Sequence, residues 1–586
     1  MFDLKWNINS RKEKEQKLND ALLKSRAVSD IDDFLKPSLE KLYDPFTINQ
    51  MARAVDRIVN AIYDMEKIII YGDYDVDGIT STAMLMKFIS EFTCNIEYFI
   101  PHRVEQGYGL TIDSIDQVLK KKPDLIITVD CGITSLQEVD YINMNKVDVI
   151  VTDHHQIGDT LPKAHTVLCC KRMDNTYMNP DLSSSGLTYK LIEAINTKMG
   201  LDKDLNEYLQ LATLGLVADV VPLIGENRVM VSFGLSYLNH TKIEGLKALF
   251  DVSGIKKEER LTPYHLGFII CPRLNATGRM DHANLAVELL LEKSQKRAYE
   301  LALQFDQLNK DRQEEQNRIF EEVVDTIDNN PTLNSSVLVA GGHGWNHAII
   351  GIVASKISER YNKPVILLDI NGNMAKGSAR SIDGFNIINA IESCKDYLVK
   401  FGGHEKAAGL SINTDNIDIF RHVINEIFNK DHQLRRKEID IDLLLSYDDI
   451  NYENIVNLTQ LEPFGEKNQR PLFCLEKVTF NNIVKIGKKK NHLKLTGFVD
   501  CIAFNSEKAS ELITENQEYD ILFYPTINSW NNKESLQLII YDFKLSGLDD
   551  MKLISAVIVL KDMKNCQSDV REFLKQKLLD CDMVYF

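Results

Sequence analysis

Between about Lys67 and Lys171 the chain alternates short apolar runs with longer helical or polar stretches. The runs Ile68–Tyr71, Ile96–Ile100, Leu125–Val129, Val147–Val151 and Thr166–Leu168 are too short for helices and rich in β-branched residues, which predicts buried strands of a largely parallel sheet. Ligands of such sheets gather beyond the carboxyl ends of the strands. Here those ends read Gly72-Asp73-Tyr74-Asp75-Val76-Asp77-Gly78, Asp130-Cys131-Gly132 and Asp153-His154-His155, so acids and imidazoles fall where the fold places a site.

Residues 185–265 read as helices, and a longer helical pattern covers Leu285–Ile327, with Leu301, Phe305, Leu308, Ile319, Val323 and Ile327 on one face. Between Asn309 and Arg318 the pattern is polar all round. This predicts one connector bridging two domains through solvent, about 65 Å long if unbroken, and ended by Asn329-Asn330-Pro331. A second α/β unit follows, with strands near Ser336–Ala340, Val365–Leu368 and Leu410–Ile412. Its turns are expected to carry Gly341-Gly342-His343, Gly377-Ser378-Ala379-Arg380 and Gly402-Gly403-His404. After Asp440, alternation in His492–Phe498, Tyr519–Thr526 and Glu534–Phe543 predicts a small all-β barrel. The expected organisation is an N-terminal segment (1–45), a parallel-sheet domain (46–284), a connector helix (285–330), a second α/β domain (331–435) and the barrel (440–545). Residues 546–586 read as strand, helix and strand, the start of a further α/β domain inside which the chain ends.

Five hundred and eighty-six residues with 44% hydrophobics and 26% charged residues exclude a single compact domain and a disordered chain. Acids outnumber bases 85 to 68, a net charge of −17. A polyanionic partner must therefore be held by local basic patches or metal ions. Ten scattered cysteines without a C-x-x-C pair read as free thiols in a reducing compartment. With no signal-like start and no run of about 18 apolar residues, the expectation is a soluble cytoplasmic protein without membrane contact.

Asp73-x-Asp75-x-Asp77-Gly78 has two metal readings. A calcium loop would need Glu at its twelfth position, where Met84 stands, and a helix before it instead of an apolar strand. In extended backbone Asp73 and Asp75 share a face and can meet one ion cluster. Packed carboxylates repel unless cations neutralise them. Asp130 and Asp153-His154-His155 follow equivalent strands; one imidazole can ligate while the other faces substrate, in an oxygen-rich set suited to Mn²⁺ or Mg²⁺. Asp219 lies in an apolar stretch, Gly215 to Pro222, and needs a partner there; a cation is one. Arg103, Arg273, Arg279 and Arg380 stand beside glycine or small residues, where a guanidinium can reach phosphate in bidentate fashion, and Gly402, Gly403 and His404 fit the same logic. In the barrel, Lys477, Lys485, Lys488, Lys489, Lys490 and Lys494 share a stretch without acids, near His492. With exposed aromatics such as Phe498 or Trp530, they suit a single strand of nucleic acid.

Asp73-x-Asp75, Asp130, Asp153-His154-His155 and Asp219, in this order, resemble the motifs of the DHH phosphoesterase superfamily, and Gly402 to Gly409 (GGHEKAAG) resembles the signature of its associated DHHA1 domain. With Pro101-x-Arg103-x-x-x-Gly107-Tyr108-Gly109, Arg273-Leu-Asn275-Ala-x-Gly278-Arg279 and the barrel, residues 45–545 resemble the RecJ family within it. That resemblance implies a single-strand-specific 5′-to-3′ DNA exonuclease with two Mn²⁺ or Mg²⁺ ions, an OB-type barrel and a role in recombination and repair. One ion would sit on Asp73 and Asp130, the other on Asp75, Asp130, His154 and Asp219, with His155 on a phosphate oxygen. Ile69 replaces a histidine that some members carry, which implies a looser first ion. The role of Asp77 stays open between a ligand through water and a turn former. Arg103, Arg273, Asn275, Arg279, Ser378, Arg380, Gly402, Gly403 and His404 would line the cleft that reads the 5′ end. Implied partners are single-stranded DNA, a single-strand-binding protein and a helicase, acting on a monomer. Two rival readings are a superfamily phosphodiesterase for oligoribonucleotides or cyclic dinucleotides, and a non-catalytic DNA-binding scaffold.

Overall fold

The computed structural model describes residues 4–102, 109–330, 333, 335–431, 437–506, 513–530 and 533–547. Arg103, Gly107, Tyr108 and nearly all of the 546–586 segment lie outside the described residues. The chain forms two compact units. One holds residues 37–434 with 463–468; the other holds 1–36, 435–462 and 469–586.

In the larger unit the five predicted strands form one parallel sheet in the order Ile96–Phe99, Ile68–Gly72, Leu125–Val129, Asp148–Thr152, Thr166–Leu168. Alternate side chains serve two cores. Ile68, Ile70, Leu125, Ile127 and Ile150 face the helical layer, while Ile69, Tyr71, Ile126, Val149 and Val151 fill the opposite face. Burial on both faces explains the continuous apolar runs. Gly72 pairs with Val129, and Val129 with Thr152, so three neighbouring strands end in register. The next residues are Asp73, Asp130 and Asp153, brought side by side by strand spacing of about 4.8 Å.

The predicted connector differs from expectation in two ways. It is broken: one helix runs Asn284–Leu291, and Ser294 accepts from Arg297 N to cap a second, Gln295–Asn329. At about 1.5 Å per residue the longer piece spans about 52 Å. Its apolar residues do join two cores, Leu301 and Phe305 packing with the first domain and Ile319, Val323 and Ile327 with the second. Its polar middle is not wholly solvent-bridging, because Asn309 and Gln316 are buried. Their amides accept hydrogen bonds from Arg312, which lets a polar stripe pack.

The second α/β domain has a five-stranded sheet ordered Leu398–Gly403, Ala407–Asn413, Met374–Arg380, Val365–Asn371, Leu338–His343, parallel only at the last pair. The glycine motifs therefore lie mainly on strands, not on turns. Gly377 and Ser378 are mid-strand, and Gly402-Gly403 end the strand before the His404–Ala407 hairpin. Small residues are needed there: a Cβ on Gly377 would meet the Leu368 side chain at 2.6 Å.

In the smaller unit, a seven-stranded mixed sheet includes the predicted barrel strands as His492–Thr496, Glu518–Trp530 and Lys533–Leu545. An additional strand, Leu4–Ile8, pairs in parallel with Lys437–Ile441, so the N-terminal segment contributes to this unit. No helix among the described residues is long and apolar enough to cross a membrane.

Candidate metal centre and cleft

Close backbone approach builds the first acidic loop. A Cβ on Gly72 would meet Thr82 Oγ1 at 2.1 Å, and one on Gly78 would lie 2.6–2.8 Å from the Asp73 backbone. These two glycines let the Val76–Ile89 helix start directly against the strand end. Asp75 caps it, accepting from Asp77 N and Gly78 N. Helix Cys271–Met280 braces the same loop. Asn275 Oδ1 accepts from Val76 N at 3.1 Å, and a Cβ on Gly278 would stand 2.7 Å from Tyr74 O. The Arg273-to-Arg279 motif thus docks onto the acidic loop.

Asp130 has φ of +65°, a left-handed conformation that costs a non-glycine residue about 1–3 kcal/mol and is held by its surroundings. Its N–H donates to Thr152 O, and Thr128 Oγ1 donates to Cys131 O. His154 Nε2 lies 3.2 Å from Asp130 Oδ1, and its Nδ1 lies 3.5 Å from Asp219 Oδ2. Asp219 ends the Asn206–Ala218 helix. Among the described residues, three groups have possible ligand atoms that lie within 4.8 Å of one another inside each group: Asp73, Asp75 and Asp130; Asp130, His154 and His155; and Asp77, His154 and Asp219. Asp130 belongs to two of them. Hard carboxylate oxygens with one or two imidazoles are the donors that Mn²⁺ and Mg²⁺ take, and the geometry accommodates two neighbouring ions.

The electrostatics also ask for cations. Burial, then Asp75, Asp77, Asp73 and Asp153, push Asp130 well above the ordinary carboxylate range. Burial, then Asp77 and Asp75, raise Asp219 to about 8. Burial lowers His154, which favours the neutral form that ligates. Burial also opposes charge on His155, but the Asp153 carboxylate at 2.7 Å from Nδ1 holds it above its ordinary value.

Two residues acquire positions that their sequence neighbours do not reveal. Asp153, 1% exposed, accepts from Ile133 N, His154 N, His155 N and His155 Nδ1, so it orients both histidines. Asp77, 2% exposed, accepts from Ser183 Oγ (2.8 Å), Ser184 N (2.7 Å) and Ser185 N (3.0 Å) at the start of the Ser184–Lys198 helix. It also lies 3.8 Å from His154 Nε2. It is not the turn former, a role filled by Asp75. The signal available was Ser183-Ser184-Ser185, a helix-start pattern without a visible partner.

The predicted phosphate-gripping residues divide. Arg279, Ser378, Arg380 and Gly403 line one cavity of about 640 Å³ between the parallel-sheet domain and the second domain. Arg380 donates to Ser355 Oγ and Ser378 Oγ, and Arg279 to Ala348 O. Arg273 lies elsewhere, in an ion pair with Asp306 at 2.9 Å and a hydrogen bond to Ile269 O. Asn275 serves the acidic loop. Gly402 and His404 flank the cavity-lining Gly403 in sequence without lining it themselves. In the other unit, Lys485, Lys488, Lys489 and Lys490 are exposed on the Asn482–Ile486/His492–Thr496 hairpin, while Lys494 pairs with Asp500. Phe498 is exposed and packs edge-on against Tyr447.

Comparison with known proteins agrees with this geometry. Family models match as the DHH family N-terminal domain at 67–216, the DHHA1 domain at 334–430 and the RecJ OB domain at 441–542. The single-stranded-DNA-specific exonuclease RecJ of Bacillus subtilis is 36% identical over 88% of this chain and 66% of its own length, so the chain spans about two thirds of that relative. The Haemophilus influenzae protein of the same name is 31% identical over 89% of this chain and 95% of its own. The crystal structure of RecJ in complex with Mn²⁺ from Thermus thermophilus superposes with a TM-score of 0.80 at 26% identity, covering 93% of this chain and 80% of that one. Ordered motifs, domain sequence and relatives agree: the chain belongs to the RecJ family of single-stranded-DNA-specific exonucleases.

Proposed function

We propose that the protein is a metal-dependent 5′-to-3′ exonuclease of single-stranded DNA, with its reacting phosphate held at the Asp73–Asp130–His154 cluster. The carrying observation is the in-register ending of three adjacent strands, which gathers Asp73, Asp130 and Asp153 while His154 reaches from Asp130 to Asp219. Asp73, Asp75, Asp130, His154 and Asp219 would hold two divalent ions, Mn²⁺ or Mg²⁺, with Asp130 shared. Bound there, the ions supply a nucleophilic water and electrophilic stabilisation of the phosphate and its leaving oxygen. The protein's own groups do the positioning. Asp153 fixes His155 through Nδ1, so that Nε2 can donate to a non-bridging phosphate oxygen. Arg279, Arg380 and Ser378 grip the phosphate of the 5′ end, which gives direction. The lysine hairpin tracks the incoming strand by charge.

The RecJ OB domain favours this reading over an enzyme confined to di- and oligonucleotides. The complete acidic and histidine set favours it over a scaffold. We further propose that it acts as a cytoplasmic monomer in recombination and repair, beside a single-strand-binding protein and a helicase. The test is digestion of long single strands labelled at either end, in Mn²⁺, against duplex and dinucleotide controls. Early release of 5′-labelled mononucleotide supports the reading. Release from the 3′ end, preference for dinucleotide, or survival of full activity in Asp130→Ala overturns it.

A further inference from the structure

Asp219, one of the proposed metal ligands, is followed by strained backbone. The Asn206–Ala218 helix closes around it with two hydrogen bonds, Val221 N donating to Leu216 O and Val220 N to Val217 O. A closure of this kind puts the residue after Asp219 in the left-handed region, where glycine is usual. Here that residue is Val220, at φ of +55°, a conformation that a β-branched side chain rarely adopts. Its side chain is 63% exposed and gains little packing in return. Such backbone persists only where its surroundings over-determine it. The constraint comes from the residues that follow, because Val221 and Leu223 are buried and Pro222 has a fixed φ.

Leu223 is sealed by a segment distant in the chain. Residues 463–468 belong to the larger unit, although the chain on both sides of them belongs to the smaller one. They form a tight turn in which Gly465 and Asn468 exchange backbone hydrogen bonds. Leu223 N donates to Glu466 O at 2.8 Å, and a Cβ on Gly465 would stand 2.6 Å from Leu223 Cδ1. Pro463 O accepts from the buried Asn468 Nδ2 at 2.9 Å and from Nη1 of the buried Arg228 at 3.4 Å. Arg228 lies on the Gly225–Leu238 helix, so the turn is anchored on the element that leaves the Asp219 loop. We propose that the 463–468 turn is a positioning element for the metal centre: by pinning Leu223 it holds Val220 at positive φ and keeps the Asp219 carboxylate beside His154. Without the turn, Val220 relaxes to negative φ, the helix closure opens and Asp219 moves with it. Asp73 and Asp75 stand on a different loop and do not depend on this device.

The positioning role rests on the two-ion reading and is tested so that the two can fail separately. Gly465→Val, alone and combined with Val220→Gly, is compared with wild type in the whole chain. Hydrogen exchange in chelator follows the Val220 and Val221 amides with no metal present. Gly465→Val is expected to speed their exchange about tenfold, as for a weakening comparable to one hydrogen bond. Adding Val220→Gly is expected to restore protection, because glycine keeps positive φ without the turn. Mn²⁺ titration followed by electron paramagnetic resonance should show one ion about tenfold weaker in Gly465→Val and the other within about twofold of wild type. The double variant should regain the weakened ion, a recovery that general loss of packing around Gly465 does not produce. Unchanged exchange in Gly465→Val, equal weakening of both ions, or no recovery on adding Val220→Gly overturns the positioning role. Wild type that binds no Mn²⁺ overturns the functional reading instead, and the exchange measurement then decides by itself whether the turn holds the Asp219 loop.

Discussion

Replacing Asp77 by asparagine separates positioning from metal ligation. The carboxylate accepts three hydrogen bonds, two of them from backbone N–H groups in the first turn of the Ser184–Lys198 helix. An amide of the same shape keeps one accepting oxygen and turns an NH₂ toward at least one of those donors. Loss of one hydrogen bond to a charged acceptor is worth about 1.5–3 kcal/mol. Loss of a negative charge at a helix start adds about 0.3–1 kcal/mol. Against this, Asp77 contributes to the upward shifts of Asp130 and Asp219, so its neutralisation relieves repulsion in metal-free protein. Setting about 1 kcal/mol for that relief leaves a net destabilisation of about 2 kcal/mol, or, at about 2.1 cal/mol/K of unfolding entropy per residue, a fall of about 2–3 °C in Tm for a unit of about 400 residues. Calorimetry in chelator measures the shift, and Mn²⁺ titration followed by electron paramagnetic resonance counts ions. The expectation is a lower Tm with two ions still bound. An unchanged or higher Tm, or loss of one ion, refutes the positioning role.

Three further expectations follow from the same geometry. Gly78→Ala places a Cβ against the Asp73 backbone, which cannot move aside as a side chain would, so activity should fall about 100-fold in single-turnover assays as the ligand loop shifts. Asp153→Asn should lower kcat about 10–100-fold while the strand's Kd stays near wild type, because the hydrogen bonds it removes orient the histidines. Asp219, raised to about 8, has a folded-state value above its unfolded value near 3.9, so its contribution to metal-free stability declines as pH rises from about 4 to about 8. Cation binding must then expel protons below pH 8; calorimetry in buffers of different ionisation enthalpy should show proton release at about pH 6.5 that fades by about pH 9. A metal affinity flat across that range would contradict it.

Much of the catalytic domain was legible because a parallel sheet buried on both faces writes itself as apolar runs. The acids that follow Tyr71-Gly72, Val129 and Thr152 then had to be explained. What stayed hidden depends on partners distant in the chain. Nothing beside Asp77 announces Ser183–Ser185, and nothing beside Arg273 announces Asp306. Polar residues Asn309, Arg312 and Gln316 read as a solvated helix because their burial is decided by one another. The helix break before Ser294 was masked by apolar spacing that continues in phase across it. The glycine motifs of the second domain looked like turns because glycine there serves close packing between strands and helix.

The proposed chemistry requires a pair of cations caged by Asp73, Asp75, Asp130, His154 and Asp219. Crystals grown with Mn²⁺ and measured at the manganese absorption edge test this most directly. Two anomalous peaks sharing Asp130, one beside Asp73 and the other beside His154 and Asp219, are the predicted result. A single peak away from these side chains, or none at saturating Mn²⁺, would contradict the account.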